Sequence, residues 1–121
     1  MKTHKDLNVW KMSIDLVMDI YRITKAYPKE EQYGLVHQMK RAAVSVPSNI
    51  AEGAARLHPR EFIQFLNIAK GSLSELETQL LISGKLDFVK EDVYTSINEK
   101  MQHIRRQIIG LEKYTRETTK S

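Results

Sequence analysis

Four stretches of the chain repeat apolar side chains at steps of three and four residues, the spacing that gathers them on one face of an α-helix. In the first, from about Leu7 to Ala26, Val9, Ser13, Leu16, Ile20, Ile23 and Tyr27 follow these steps, and Pro28 ends the pattern. The second, from about Glu30 to Ala54, carries Leu35, Met39, Ala42, Val46 and Ile50 on one side. The third opens at Pro59, a residue suited to a first helical turn, and aligns Phe62, Phe65, Leu66, Ala69, Leu73, Leu76 and Leu80 before Gly84, which reads as its stop. The fourth, from about Lys90, aligns Val93, Ile97, Met101, Ile104, Ile108 and Leu111. The expected helices cover about 7–26, 30–54, 59–83 and 90–115, each roughly 30–38 Å long at 1.5 Å per residue. Connections this short force antiparallel neighbours. The pattern predicts an all-α fold, an antiparallel up-down four-helix bundle, as a single domain over 1–121.

Two features disturb that scheme. Pro47 falls inside the second helix, where it removes a backbone donor and crowds the carbonyl four residues back, at a cost of about 3 kcal/mol in a regular helix. The apolar stripe continues to Ile50, so a helix kinked near Pro47 is expected rather than two pieces. In the first helix, Lys11, Asp15, Asp19 and Arg22 occupy one narrow polar arc and most of the remainder is apolar. Besides Val9-Leu16-Ile20-Ile23 there is a second stripe, Trp10-Ile14-Val17-Tyr21. One stripe suffices for a bundle core, and a second needs either extra twist in the bundle or a partner. A homo-oligomer with Trp10, Ile14, Val17 and Tyr21 at the contact is the expectation.

Polar residues form a ladder beside the core stripes of helices 2 and 3. Gln38, Arg41, Ser45, Asn49 and Glu52 share one side of helix 2, and Ser72, Glu75 and Gln79 share one side of helix 3. A turn centred near His58 brings Arg41 opposite Glu75, Ser45 opposite Ser72 and Gln38 near Gln79. The structural reading is a hydrogen-bonded seam that holds the helices in register; the functional reading is a polar groove for a ligand or partner. Catalysis is disfavoured. Neither serine has a histidine one helical turn away, and Glu52 falls about three turns from Glu75, roughly 16 Å, too far for paired carboxylate chemistry.

Composition removes several classes of function. There is no cysteine, hence no disulfide or thiolate chemistry. No apolar run approaches the ~20 residues that span a bilayer, and no apolar segment follows Met1-Lys2-Thr3-His4-Lys5-Asp6 as a signal peptide would require, so a cytoplasmic protein without a membrane partner is expected. His4, His37, His58 and His103 lack ligand spacing, and Glu99 and His103 are one residue too far apart for the Glu-x-x-His motif of di-iron bundles. No metal site is expected. No phosphate loop or dinucleotide fingerprint is present, so no cofactor is expected either. Gly53 reads as the C-terminal cap of helix 2. The formal charge is +4, with an excess between residues 100 and 120: Lys100, Arg105, Arg106, Lys113, Arg116 and Lys120 against Glu112 and Glu117. Lys100, Arg105, Arg106, Lys113 and Arg116 are candidate nucleic-acid contacts, the alternative being a solvated helix face. Trp10 and the tyrosines have the chemistry to stack on bases, although at helical spacing such rings commonly serve a core or an interface.

The ladder also carries a family likeness. Asp6-Leu7-x-x-Trp10, Pro28-x-x-Glu31-x-Tyr33-Gly34-Leu35, Gln38-x-x-Arg41-Ala42-Ala43-x-Ser45-Val46-Pro47-Ser48-Asn49-Ile50-Ala51-Glu52-Gly53 and Phe62-x-x-Phe65-Leu66-x-Ile68-Ala69-x-Gly71-Ser72-x-x-Glu75 together resemble the four-helix-bundle 23S rRNA-intervening-sequence proteins. Ser45 to Gly53 is the specific part, and helix 4 matches only as an amphipathic helix. The resemblance implies a small bacterial protein with an up-down bundle and no catalytic activity. It also implies assembly into a pentamer, because related proteins form pentameric barrels or cones and one, an accessory protein of diversity-generating retroelements, binds nucleic acid and a reverse transcriptase. The expected function is a non-enzymatic homo-oligomeric scaffold with nucleic acid or a nucleoprotein as partner. The alternative is a protein–protein interaction module that binds no nucleic acid.

Overall fold

The structure, a computed structural model, describes residues 3–118; Lys120 of the basic tail lies outside them. Four helices follow one another: α1 Asn8–Thr24, α2 Leu35–Ala54, α3 Pro59–Lys85 and α4 Glu91–Thr118. Short 3-10 turns at His4–Asp6 and Lys29–Glu31 precede α1 and α2. Among the described residues every regular element is helical, and no helix is long and apolar enough to cross a membrane.

Each helix packs on its neighbours in a ring, α1 on α2 and α4, and α3 on α2 and α4, with the α2–α3 contact the most extensive. Directions follow from the cross-contacts. Along α2 and α3, Met39 meets Ser83, Ser45 meets Ser72 and Gly53 meets Phe62 and Phe65, so one number rises as the other falls. Along α3 and α4, Lys70 meets Glu112 and Gly84 lies by Tyr94. This is the antiparallel bundle expected from the pattern.

The core stripes also meet as expected. Leu16 and Ile20 from α1, Met39, Val46 and Ile50 from α2, Leu66, Leu73, Leu76 and Leu80 from α3, and Met101, Ile104 and Ile108 from α4 are all fully buried, each aliphatic side chain contributing about 1.5–3 kcal/mol by leaving water. Ser13 and Thr24 lie on the same face of α1 without an unmet hydroxyl, because each donates to a carbonyl one turn back, Val9 O at 2.7 Å and Ile20 O at 2.8 Å.

Boundaries differ from the expectation at the start of helix 2 and the end of helix 3, while helix 2 is one piece as expected. Helix 2 begins at Leu35 rather than Glu30, because Lys29–Glu31 tightens to a 3-10 turn and Gly34, at φ −112° and ψ −105°, leaves the helical basin. Across Pro47, α2 remains one element, with the small side chain of Ala43 on the turn whose carbonyl loses its donor. Helix 3 does not stop at Gly84. It runs to Lys85 and closes through Asp87, whose φ of 61° is left-handed. Phe88 N–H donates to Ser83 O at 2.9 Å and Asp87 N–H to Gly84 O at 3.1 Å, the paired bonds of a Schellman ending, with aspartate where glycine is usual.

Gly53 is not a cap. It sits inside α2 and is buried, and a Cβ built there would stand 2.7 Å from Phe65 Cβ and 2.9 Å from Phe62 Cδ1. Its hydrogen lets α2 and α3 approach. At the opposite end of the bundle, Tyr27 lies buried against Phe88, ring centroids 5.3 Å apart. Its hydroxyl has no hydrogen bond among the described residues. Burial pushes the phenol above its ordinary value; the nearby Ser83 hydroxyl opposes the shift but itself donates to Gln79 O at 2.9 Å.

Gly53→Ala is expected to destabilise the bundle by about 1–3 kcal/mol through overpacking against Phe62 and Phe65, read as a fall in the urea midpoint at unchanged slope; an unchanged midpoint would show that the helices separate freely there. For Tyr27, the neutral phenol stabilises fully below the ordinary tyrosine value near pH 10 and loses its contribution as pH rises through the raised folded value. Tyr27→Phe should therefore leave neutral-pH stability within about 1 kcal/mol of the parent and flatten the loss of stability above pH 10 in alkaline denaturation curves.

Candidate functional site

The α2–α3 seam forms as a hydrogen-bonded unit at its centre. Ser45 Oγ and Ser72 Oγ lie 2.8 Å apart, and Asn49 Nδ2 donates to Ser45 O at 2.8 Å and Ser45 Oγ at 2.9 Å. Helical spacing stacks Asn49 over Ser45, and the close approach allowed by Gly53 brings Ser72 across. Toward Tyr27 and Phe88 the ladder opens. Gln79 turns along its own helix and donates to Glu75 Oε2 at 3.3 Å, leaving its buried Oε1 without a partner among the described residues; no hydrogen bond links it to Gln38, which is exposed. Arg41 and Glu75 both line a cleft of about 180 Å³ with Gln38, Ala42, Ser45 and Ser72, yet among the described residues they close no ion pair. Both are exposed, where water solvates each charge and an ion pair gains little. Glu52 leaves the seam for Arg56 at 3.8 Å.

The expected basic surface divides in two. Lys100 reaches across to Asp19 on α1, Nζ to Oδ2 2.5 Å, and Arg105 pairs with Glu77 on α3 while donating to Ser74 Oγ at 2.9 Å. Gln102 also donates to Glu77. These two cations tie α4 to its neighbours rather than face outward. Arg106 and Lys113 are exposed and have no ion pair among the described residues. Arg116 lines a cleft with Lys70, Ile109, Glu112, Lys113 and Glu117. Glu112, only 4% exposed, lies on the core-facing stripe one turn after Ile108 and is held by Lys70 Nζ at 2.7 Å. Both pairs share one antiparallel register of α3 and α4, but a turn centred in the 84–90 connection sets Lys70 opposite Ile104 and Glu77 opposite Ile97, about two turns from these partners, so the connection alone does not reveal them.

The bundle covers much of the second stripe of α1. Trp10 and Val17 pack at the margin of the core, with Trp10 edge-on to His4 at 5.1 Å. Ile14 is half-buried, and Tyr21, 40% exposed, carries Lys40 Nζ 4.7 Å from its ring centre. Met18 is more open than any of these, at 54%. No three His, Cys, Asp or Glu side chains gather as metal ligands among the described residues.

Comparison with known proteins adds a family. The sequence profile of the 23S rRNA-intervening sequence proteins matches residues 5–110. A crystal structure at 1.70 Å of a protein of unknown function from the S23 ribosomal protein family of Bacteroides thetaiotaomicron VPI-5482 is similar, with a TM-score of 0.80 and 25% identity over 87% of this chain and 95% of that one. A search of curated proteins gave no significant match.

Single and double replacement of Ser45 and Ser72 by alanine should give a coupling of about 0.5–1.5 kcal/mol in a double-mutant cycle of unfolding; strictly additive losses would show that the two hydroxyls do not act together.

Proposed function

The chain belongs to the 23S rRNA-intervening sequence protein family, and from that premise we propose that it is a non-enzymatic, self-associating cytoplasmic scaffold that binds nucleic acid through one end of its bundle. The observation that carries this reading is where the unpaired cations lie. Antiparallel packing sets the last turns of α4 beside the α2–α3 turn and the start of α1. Exposed Lys5, Lys11, Arg60, Arg106 and Lys113, with no ion pair among the described residues, share that half of the bundle. Of the acidic residues there, Glu52 and Glu112 have cations of their own, while Asp15, Glu61 and Glu117 have no ion pair among the described residues. At the other end, exposed Lys25, Lys29, Lys85 and Lys90 are outnumbered by Glu30, Glu31, Asp87, Glu91 and Asp92. Unneutralised lysines and arginines on one surface attract phosphates and displace their counterions.

Self-association is supported by the apolar surface that α1 leaves at Ile14, Met18 and Tyr21, and a pentamer is the assembly proposed. The non-enzymatic reading is supported by the seam, where the Ser45 hydroxyl is engaged by Ser72 and Asn49 and carries no histidine bond. A second reading, a protein-interaction module without nucleic-acid binding, is favoured by the internal use of Lys100 and Arg105, which removes two of the five candidate contacts from the outer surface.

A structured RNA titrated at two salt concentrations should bind saturably and more weakly at the higher one. Replacing Arg60 and Lys113 by glutamine should weaken binding and lower the salt slope by about 1 per cation removed. Absence of saturable binding at low salt favours the interaction-module reading. Sedimentation should give a mass of several chains; one chain at micromolar concentration would remove the self-association.

A further inference from the structure

Two outer surfaces of the bundle carry apolar side chains at helix-packing spacing. On α1, Ile14, Met18 and Tyr21 follow steps of four and three, and Val44 of α2 lies beside Tyr21 along a shared cleft. On α3, behind the core stripe, Gln64, Ile68, Gly71, Glu75, Thr78 and Ile82 alternate steps of four and three, and each is exposed. Such alternation lines the contact of one helix with another when it carries apolar groups. Here Ile68 and Ile82 supply them, at 51% and 42% exposure. The outward stripe of α4, from Glu99 through Gly110 to Glu117, has the same spacing and no aliphatic or aromatic side chain.

Gly71 stands between the two isoleucines. A Cβ built on it would meet nothing within 4 Å. Glycine weakens a helix interior relative to alanine, and Gly53 repays this by packing. Gly71 has no such reason inside this chain, but a bare turn lets a second backbone come close. One turn on, Glu75 has no ion pair among the described residues. Lys40 has none either and lies 4.7 Å from the centre of the Tyr21 ring. Heights along the bundle match. Lys40 precedes Ser45 by five residues, and Ser45 lies opposite Ser72, so Lys40 is level with the turn from Glu75 to Thr78. In an up-down bundle α1 and α3 run parallel, so Ile14, two turns before Tyr21, is level with Gly71.

We infer that the α1 surface of one copy packs on the outer stripe of α3 of the next copy. Ile14 and Val44 then cover Gly71, Tyr21 fits between Glu75 and Ile82, and Lys40 pairs with Glu75 of the next copy. This rests on the self-association reading and names its two surfaces. Because α1 and α3 occupy opposite corners of the bundle, the contact joins unlike surfaces. Both surfaces lean toward α2: Tyr21 shares a cleft with His37 and Val44, and Glu75 shares one with Gln38 and Ser45. They therefore stand at an angle rather than back to back. Successive copies turn about an axis along the bundle, which preserves the heights and closes a ring instead of a straight fibre.

The test is sedimentation of the full chain at micromolar concentration and low salt. Lys40→Glu and Glu75→Lys each set like charges together and should raise the dissociation constant about tenfold or more. The double variant restores opposite charges and should restore the parent mass. Gly71→Gln adds a side chain that meets nothing inside the protomer, so helical circular dichroism should persist while assembly is lost. Gly110→Gln, equally open on α4, should leave the mass unchanged. Single charge reversals without effect, a double variant that does not recover, a parent mass kept by Gly71→Gln, or assembly lost with Gly110→Gln each overturn these surfaces and leave self-association standing. A parent that sediments as one chain overturns the self-association reading itself.

Discussion

Gly53 stands where α2 and α3 come closest, and its side chain is a hydrogen because the Phe65 and Phe62 side chains occupy the space a methyl would need. That approach sets the spacing of the most extensive helix pair in the bundle. Farther along the same pair, Ala42, Ala43 and Ala69 are buried small side chains, and the Ser45 and Ser72 hydroxyls come within 2.8 Å. A sideways slip by one residue would separate the hydroxyls and press a β-carbon into an aromatic ring. Close packing and a directional hydrogen bond therefore specify the same register, an agreement between levels that favours one native arrangement over its neighbours.

Once α2 and α3 are set, the outer helices follow through charge as well as apolar contact. Asp19 holds Lys100 from α1, Glu77 holds Arg105 and Gln102 from α3, and Lys70 covers the buried Glu112. Each joins α4 to a neighbouring helix, and each carboxylate lies within reach of the opposite charge before it becomes a buried liability. The same arrangement sorts the cations of α4. Those facing α1 and α3 are neutralised, while Arg106 and Lys113, on the outer side, keep their charge for whatever lies outside. Net charge hides this division, because a paired lysine and a free one count equally.

Much of this was legible in the residues. The three-and-four spacing placed Leu16, Ile20, Met39, Ile50, Leu73 and Ile104 in the core, and the antiparallel rule brought Ser45 to Ser72. Spacing reports an angle around a helix. It does not report a distance across one, which is why a cap and a close contact look alike at Gly53, and why Gln79 turned to Glu75 on its own helix rather than to Gln38. The ending of α3 was hidden for a related reason: Asp87 adopts a conformation usually marked by glycine, and the glycine, Gly84, stands one residue inside the end.

What the sequence by itself determined is the class of fold: four helices, their order, their apolar faces and their antiparallel sense, all consequences of local periodicity and short connections. The tertiary structure decided how near the helices come and which charges find partners, since both depend on side chains far apart in the chain. It also showed that α1 leaves less of its second stripe open than its pattern implied, because Trp10 and Val17 reach the margin of the core. The bare turn at Gly71 between Ile68 and Glu75 belongs to the same category: the glycine is plain in the sequence, but that nothing fills the space around it is a property of the folded bundle alone.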